Sequence, residues 1–165
     1  MARHRAGAGP ATPATVALDR AGVPYARHPY AHDPAALSYG MEAARSLGVD
    51  PARVFKTLLV DTGNSLAVGV VPVDGQLDLK ALASALQVKS VTMADPSTAE
   101  RSSGYVVGGI SPVGQKRALP TVLDETAYAH PTIFVSGGRR GFDIELAPGD
   151  LAAVTRAVRA RIGRA

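Results

Sequence analysis

Val54-Phe55-Lys56-Thr57-Leu58-Leu59-Val60-Asp61-Thr62-Gly63-Asn64-Ser65-Leu66-Ala67-Val68-Gly69-Val70-Val71-Pro72-Val73 is two apolar, β-branched runs joined by a polar turn. Runs of this length and composition read as strands. The Thr62-Gly63-Asn64 turn between them predicts an antiparallel hairpin. Strand alternation places Val54, Lys56, Leu58 and Val60 on one face and Phe55, Thr57, Leu59 and Asp61 on the other. Lys56 therefore shares a face with three apolar residues. Burying an ammonium alone is costly, so it must find a partner or reach water. Lys56 is either a cation at the mouth of a pocket, holding a carbonyl, a ribose or a phosphate, or a strand-end lysine that snorkels to solvent.

Outward from this hairpin the pattern mixes helices and short strands. Thr12-Pro13 starts a helix that ends near Gly22. Residues 25–30 read as a short strand. A helix over 39–47 closes at Gly48, and Asp50-Pro51 marks a single turn. Asp78 caps a helix over 79–86, 88–93 is a brief strand, and Asp95-Pro96 starts a helix ended by Gly104. Residues 105–107, 121–124, 132–135 and 142–146 are strand-like, and 148–162 reads as a C-terminal helix. Short central strands with helices at both ends predict an α+β fold rather than a doubly wound parallel sheet. Neither Gly-x-Gly-x-x-Gly nor a P-loop occurs, which sets aside dinucleotide and ATP binding.

The chain has 165 residues, which suits one domain over 12–165 preceded by a flexible tail over 1–11. An apolar fraction of 46% supplies a sizeable core. No apolar run nears the roughly 20 residues of a membrane helix, and the start lacks a signal-peptide core, so a cytoplasmic protein is expected. There is no cysteine, which excludes disulfides, thiolate metal sites and a cysteine nucleophile of the protein's own. The formal charge of +4 is compatible with a polyanionic partner such as RNA.

Arg101-Ser-Ser-Gly-Tyr-Val-Val-Gly-Gly-Ile-Ser-Pro-Val-Gly-Gln-Lys-Arg117 is the second informative stretch. The pair Gly108-Gly109 lets backbone approach a ligand where a Cβ would collide. Pro112 and Gly114 fix the bends that follow. A loop of bare N–H groups beside Lys116 and Arg117 suits a carbonyl, carboxylate or phosphate, and a tight hairpin turn has the same composition. Ser111 has no Gly-x-Ser-x-Gly elbow and no evident base, so it reads as a loop or substrate-contact residue. Asp143 and Glu145 alternate with Phe142, Ile144 and Leu146, which is ordinary polar-out patterning. Tyr30 and Tyr39 flank a loop and are either pocket aromatics or core and edge residues. His28, His32 and Asp33 invite a metal reading, but Pro29 and Pro34 oppose the helix that would align them. Arg139 and Arg140 sit in a turn, where they can meet phosphates or decorate a hairpin.

Five segments resemble, in order, the motifs of the YbaK/EbsC family of free-standing aminoacyl-tRNA editing deacylases. They are His28-Pro-Tyr-Ala-His-Asp-Pro34, Val54-Phe-Lys-Thr-Leu-Leu59, Met93-Ala-Asp95, Gly108-Gly-Ile-Ser-Pro112 and Ser136-Gly-Gly-Arg-Arg-Gly141. The resemblance spans about 12–155. It implies a mixed, barrel-like sheet of short strands flanked by helices. It also implies editing in trans of mischarged Cys-tRNA(Pro), with Cys-tRNA(Cys) as a further substrate, by attack of the substrate's own thiol. Lys56, Gly108 and Gly109 match the family's catalytic positions. Tyr30, Tyr39, Thr57, Ser111, Pro112 and Asp143 match substrate-binding ones, with tyrosine at 39 where phenylalanine is frequent. The implied partners are aminoacyl-tRNA and prolyl-tRNA synthetase, with no metal or cofactor. Water-attack editing of Ala-tRNA(Pro) and a non-catalytic tRNA- or synthetase-binding module are the alternatives.

Overall fold

The computed structural model describes residues 9–165. Most of the expected tail lies outside the described residues, but 9–11 do not hang free. The Pro10 carbonyl accepts from the Arg27 guanidinium at 3.0 Å. Any Cβ on Gly9 would come within 2.6 Å of the Phe142 ring.

Fifteen elements follow in order among the described residues. They are α1 (Pro13–Ala21), β1 (Ala26–Pro29), α2 (Tyr39–Leu47), β2 (Phe55–Asp61), β3 (Leu66–Pro72), β4 (Gln76–Leu77), α3 (Leu79–Leu86), β5 (Thr92–Met93), α4 (Pro96–Ser103), β6 (Thr121–Asp124), β7 (Ile133–Arg139), β8 (Phe142–Leu146), α5 (Pro148–Thr155), β9 (Val158–Ala160) and β10 (Gly163–Arg164). Short 3-10 turns occupy Pro51–Arg53 and Glu125–Ala129. Thr12 and Asp78 cap their helices as the sequence predicts, Ser38 caps α2 as well, and Asp95 precedes α4 without a side-chain cap bond. Thr12 accepts from the Thr15 N–H, Ser38 from Met41 and Asp78 from Ala81, and Gly22, Gly48 and Gly104 close their helices in left-handed conformation.

The fold is α+β. β2 and β3 form the expected hairpin, with Lys56 opposite Val71. They sit in a five-stranded sheet of order β5-β2-β3-β6-β9, beside a three-stranded sheet β1-β8-β7 and a two-stranded pair β10-β4. The strands do not close into one continuous barrel. A parallel bridge between Val54 and Phe134 joins the two larger sheets at one corner. β3 is buried on both faces because a separate core packs on each. Val68 and Val70 join Phe55, Leu59, Ile144 and Leu146 on one side. Ala67 and Val71 join Val60, Leu82 and Ile162 on the other. A third cluster, Ala43, Ala44, Val54, Val73 and Phe134, seats α2.

Three expected elements differ. Residues 105–107 form no strand. Tyr105 is instead a buried anchor whose hydroxyl donates to the Val113 carbonyl at 2.7 Å, closing the loop on itself. Of 88–93 only Thr92–Met93 pairs, against Val60 and Asp61. The C-terminal helix ends at Thr155, where Arg156 turns left-handed at φ +57. The chain then adds β9 in parallel to β6 and β10 to β4. Asp124 selects this path. Its buried carboxylate accepts the backbone N–H groups of Ile162 and Gly163, each at 2.8 Å, and it also caps the turn at Thr126. Burial alone would raise its pKa, but the bonds from Thr126, Ile162 and Gly163 outweigh it and hold the carboxyl below its ordinary range.

Asp124→Ala leaves two chain-terminal donors without a partner and is expected to cost about 3 kcal/mol. An acid with a depressed folded pKa contributes above its unfolded value and loses that contribution as pH falls. The gap between wild type and variant in urea unfolding should therefore shrink below about pH 4.

Candidate active site

Between β5 and the Val54 bridge, the stretch Lys56–Leu58 pairs only with β3, because β5 reaches no further than Val60. A cavity of about 420 Å3 opens along this stretch, a size typical of small-ligand sites. Lys56 and Thr57 line it from β2, Tyr30 from the end of β1, and Tyr39 and Gly40 from the start of α2. Pro96 and Ala99 of α4, Gly108 of the glycine loop, Ser136 of β7 and Asp143 of β8 complete it. Tyr30, Tyr39, Lys56, Thr57, Gly108 and Asp143, separated by up to 113 positions in sequence, thus meet in one cavity.

Asp143 departs furthest from its sequence pattern. β8 is the middle strand of its sheet, and both of its faces are covered. Asp143 is only 5% exposed. No hydrogen bond or ion pair reaches its carboxyl among the described residues, and burial alone pushes its pKa up to about 7. Glu145, on the same face, is satisfied instead. It accepts from Thr132, lies 2.8 Å from His28 Nε2 and 3.4 Å from Arg53. Polar-out alternation fits neither acid, because neighbouring elements cover this face of the sheet. The Thr57 hydroxyl is a second buried polar group of the cavity wall without a partner. Tyr30 is half-buried beside Asp143. Burial, then the charges of Asp143 and Glu42, push its phenol up to about 12 against the Gly141 hydrogen bond.

Lys56 reaches across the mouth to the turn after β3, where its Nζ donates to the Gly75 carbonyl at 2.8 Å. Partial burial lowers its pKa, and nearby Asp74 opposes that shift. Lys56 lines the cavity, and its ammonium is held by a backbone carbonyl at the rim rather than released to solvent.

The glycine loop is fixed from both sides. The Val107 N–H donates to Glu100 Oε2 at 2.8 Å, and the Val107 carbonyl accepts from Arg140 Nε at 2.8 Å. The Arg140 guanidinium also lies 5.1 Å from the Tyr39 ring centroid. Arg140, read from sequence as a turn decoration or phosphate contact, thus ties the glycine loop to Tyr39. Gly108 has φ +89, and a Cβ there would fall 2.7 Å from the Tyr39 ring. Gly109 differs from the expectation of a free donor. Its N–H closes a turn onto the Val106 carbonyl at 2.8 Å, and it packs against the backbone of Arg139 and Arg140.

Ser111 and Pro112 lie outside the cavity wall. Both are buried behind the loop, where Ser111 Oγ accepts from the Val113 N–H. Of the two basic pairs, Lys116 and Arg117 also point elsewhere. His28 pairs with Glu145 and His32 with Glu42, each at 2.8 Å, on separate elements. Among the described residues no three His, Asp or Glu side chains gather as metal ligands. Sequence reasoning missed Ser136, Ile110 and the apolar rim of Leu37 and Met93. Ser136 stands directly opposite Asp143 in the β7–β8 ladder, so strand register was the available signal.

Residues 33–154 match the family model described as the aminoacyl-tRNA editing domain, and the chain belongs to that family. A relative from Enterococcus faecalis, EbsC, is 42% identical over 135 residues, 81% of each chain, and is provisionally named a Cys-tRNA(Pro)/Cys-tRNA(Cys) deacylase. Two solved structures share the fold. One, provisionally described as a trans-editing enzyme for prolyl-tRNA synthetase, has TM-score 0.79 and 23% identity over 95% of this chain and all of its own. The other, a hypothetical protein, has TM-score 0.81 and 24% identity over 93% of this chain and all of its own. No helix among the described residues is long and apolar enough to cross a membrane.

An acid whose folded pKa lies above its unfolded value costs stability as pH rises between the two. Asp143→Asn should therefore gain about 2–3 kcal/mol on wild type between pH 5 and pH 8. Urea unfolding across that range checks this, and parallel profiles for the two proteins would count against the buried, unpaired carboxyl.

Proposed function

We propose that this chain edits mischarged tRNA in trans, deacylating Cys-tRNA(Pro) and, by the same chemistry, Cys-tRNA(Cys). The observation that carries this reading is an unpartnered Asp143 carboxyl in the wall of a largely apolar cavity. Buried polar groups without partners are rare in folded proteins and suit a ligand that supplies the missing bonds. The α-ammonium of an aminoacyl ester is such a ligand. A cation beside Asp143 favours its ionised form and offsets the burial cost. Gly108 presents bare backbone to the ester carbonyl, the exposed face of Tyr39 offers a stacking surface to the terminal adenine, and Lys56 stands at the rim on the ribose side.

Among the described residues no histidine or cysteine lines the cavity. The nucleophile of this reading is the substrate's own thiol, as the resemblance to the editing deacylases implies. Its sulfur attacks the ester carbonyl carbon, the carbon–oxygen bond to the ribose breaks, and the thiol proton passes to the departing ribose hydroxyl. The ring formed contains carbonyl carbon, Cα, Cβ and sulfur, a four-membered thiolactone. The protein's share is to hold the thiol against the carbonyl, and such positioning lowers a barrier by several kcal/mol. A seryl ester presents a poorer nucleophile to the same geometry. Prolyl-tRNA synthetase, which releases the mischarged species, is the partner this reading calls for, because one small domain offers little surface for reading a whole tRNA.

Deacylation of Cys-tRNA(Pro), with Ser-tRNA and Ala-tRNA(Pro) as controls, tests the assignment. Wild type should deacylate only the cysteinyl-tRNA among these, and Lys56→Ala should lose about 100-fold in kcat/KM. Cleavage of Ala-tRNA(Pro) alone would replace the thiol by water as nucleophile. Equal rates on seryl and cysteinyl esters would sink the substrate-thiol step. Gly108→Ala, which strains a left-handed position and drives a methyl into Tyr39, should cost about tenfold or more in kcat/KM with the fold retained.

A further inference from the structure

α4 separates two hollows. Pro96 and Ala99 face the cavity described above, whereas Thr98, Arg101 and Ser102 face a second cleft of about 370 Å3. The second cleft is completed by Leu66 at the start of β3 and by Lys116 and Arg117. The chain leaving the glycine loop places those two cations there. The Lys116 N–H donates to the Ser103 carbonyl at 2.8 Å and the Arg117 N–H to the Ser102 carbonyl at 3.1 Å. This pins both residues across the last turn of α4. Among the described residues three cations therefore line one cleft with no acid in its wall. The carboxylate of Asp95, which precedes α4, feels the charge of Arg101 but is itself engaged by Ser97. Arg101 has only a 3.3 Å contact to the Thr98 hydroxyl. The Ser102 hydroxyl is buried without a partner.

Two forked guanidiniums and an ammonium are the donor set of a phosphate site. The helix between the two hollows is about 10–12 Å across with its side chains, so the cleft stands roughly one helix width from the proposed ester site. We infer that Arg101, Lys116 and Arg117 hold backbone phosphates of the single-stranded RNA 3′ end whose terminal ribose enters the cavity. This rests on the tRNA reading above and extends it. α4 acts as a divider, with the aminoacyl ester on one side and the phosphates that lead to it on the other. The cleft then supplies sequence-independent affinity, which fits a protein that takes its tRNA identity from elsewhere.

The test compares the triple variant Arg101→Gln, Lys116→Gln, Arg117→Gln with a charge-matched control, Lys80→Gln, Arg161→Gln, Arg164→Gln. Affinity for uncharged tRNA(Pro) is measured by fluorescence anisotropy between about 50 and 200 mM salt. Cleavage of cysteinyl-adenosine, an ester with no phosphate, is measured alongside. The cleft variant should bind tRNA about tenfold or more weakly, and the slope of log affinity against log salt should fall by about 2, from three phosphates at about 0.7 each. The control should keep the wild-type slope, and both variants should cleave cysteinyl-adenosine at the wild-type rate. An unchanged slope in the cleft variant, or equal losses in the two variants, overturns the phosphate site and leaves these cations as partners of the α4 C-terminus. A slope lost only in the cleft variant supports the site even if no ester is cleaved, in which case it is the deacylase reading that fails.

Discussion

The burial of Asp143 without a partner is the constraint around which the rest of the molecule is arranged. An isolated carboxylate on the middle strand of a sheet, 5% exposed, is costly unless it is neutral or meets a cation. The fold accepts that cost because β8 is otherwise thoroughly satisfied. Phe142, Ile144 and Leu146 are fully buried in the main core, and Glu145 on the same face is held by Thr132, His28 and Arg53. One acid of the pair is thus structural, and its neighbour is the one the proposed function assigns to a ligand. Folded proteins hold such unsatisfied groups where function needs them.

The walls around Asp143 are rigid for reasons that can be named. Val107 is gripped through its N–H by Glu100 and through its carbonyl by Arg140, and the loop is closed behind by Tyr105 on Val113. Tyr39 lies against Arg140 and 5.9 Å from the His32 ring, and His32 is in turn held by Glu42 of α2. The glycine loop and α2 therefore share a network of hydrogen bonds and ring contacts, so that Gly108 and Tyr39 keep a fixed separation. Positioning of this kind matters most when the protein supplies geometry and the substrate supplies the nucleophile.

Much of this was legible in the sequence where local chemistry decides structure. Thr12 and Asp78 cap their helices and Gly22, Gly48 and Gly104 end them, because caps and left-handed closures depend on few neighbours. The β2–β3 hairpin followed from composition and turn. What failed depended on distant partners. The helix expected over 148–162 stops at Thr155 because Asp124, far away in sequence, captures the backbone at Ile162 and Gly163. Tyr105 leaves its expected strand because its hydroxyl has a better partner in Val113. For the site, alternation alone made Asp143 a solvent residue and left Lys56 undecided, and only the resemblance to known editing deacylases marked them. Gly109, Ser111 and Pro112 carry family motifs but serve the loop from behind, a distinction that needs the course of the backbone.

The charge of the chain also divides by place rather than by total. Arg140 serves the loop, Arg53 serves Glu145 and the Phe134 ring, and Arg159 lies over Tyr128, so three of the cations are structural. The Lys116-Arg117 pair is turned to the far side of α4 from the cavity. The central claim, that Asp143 waits for the ammonium of an aminoacyl ester, is tested most directly by titrating its carboxyl by NMR. The titration is done with and without a non-hydrolysable cysteinyl-adenosine amide. The account predicts a midpoint near pH 7 in the free protein and a fall of about two units or more when the amide binds. A free-protein midpoint near the ordinary aspartate value, or no movement on saturation with the amide, would contradict it.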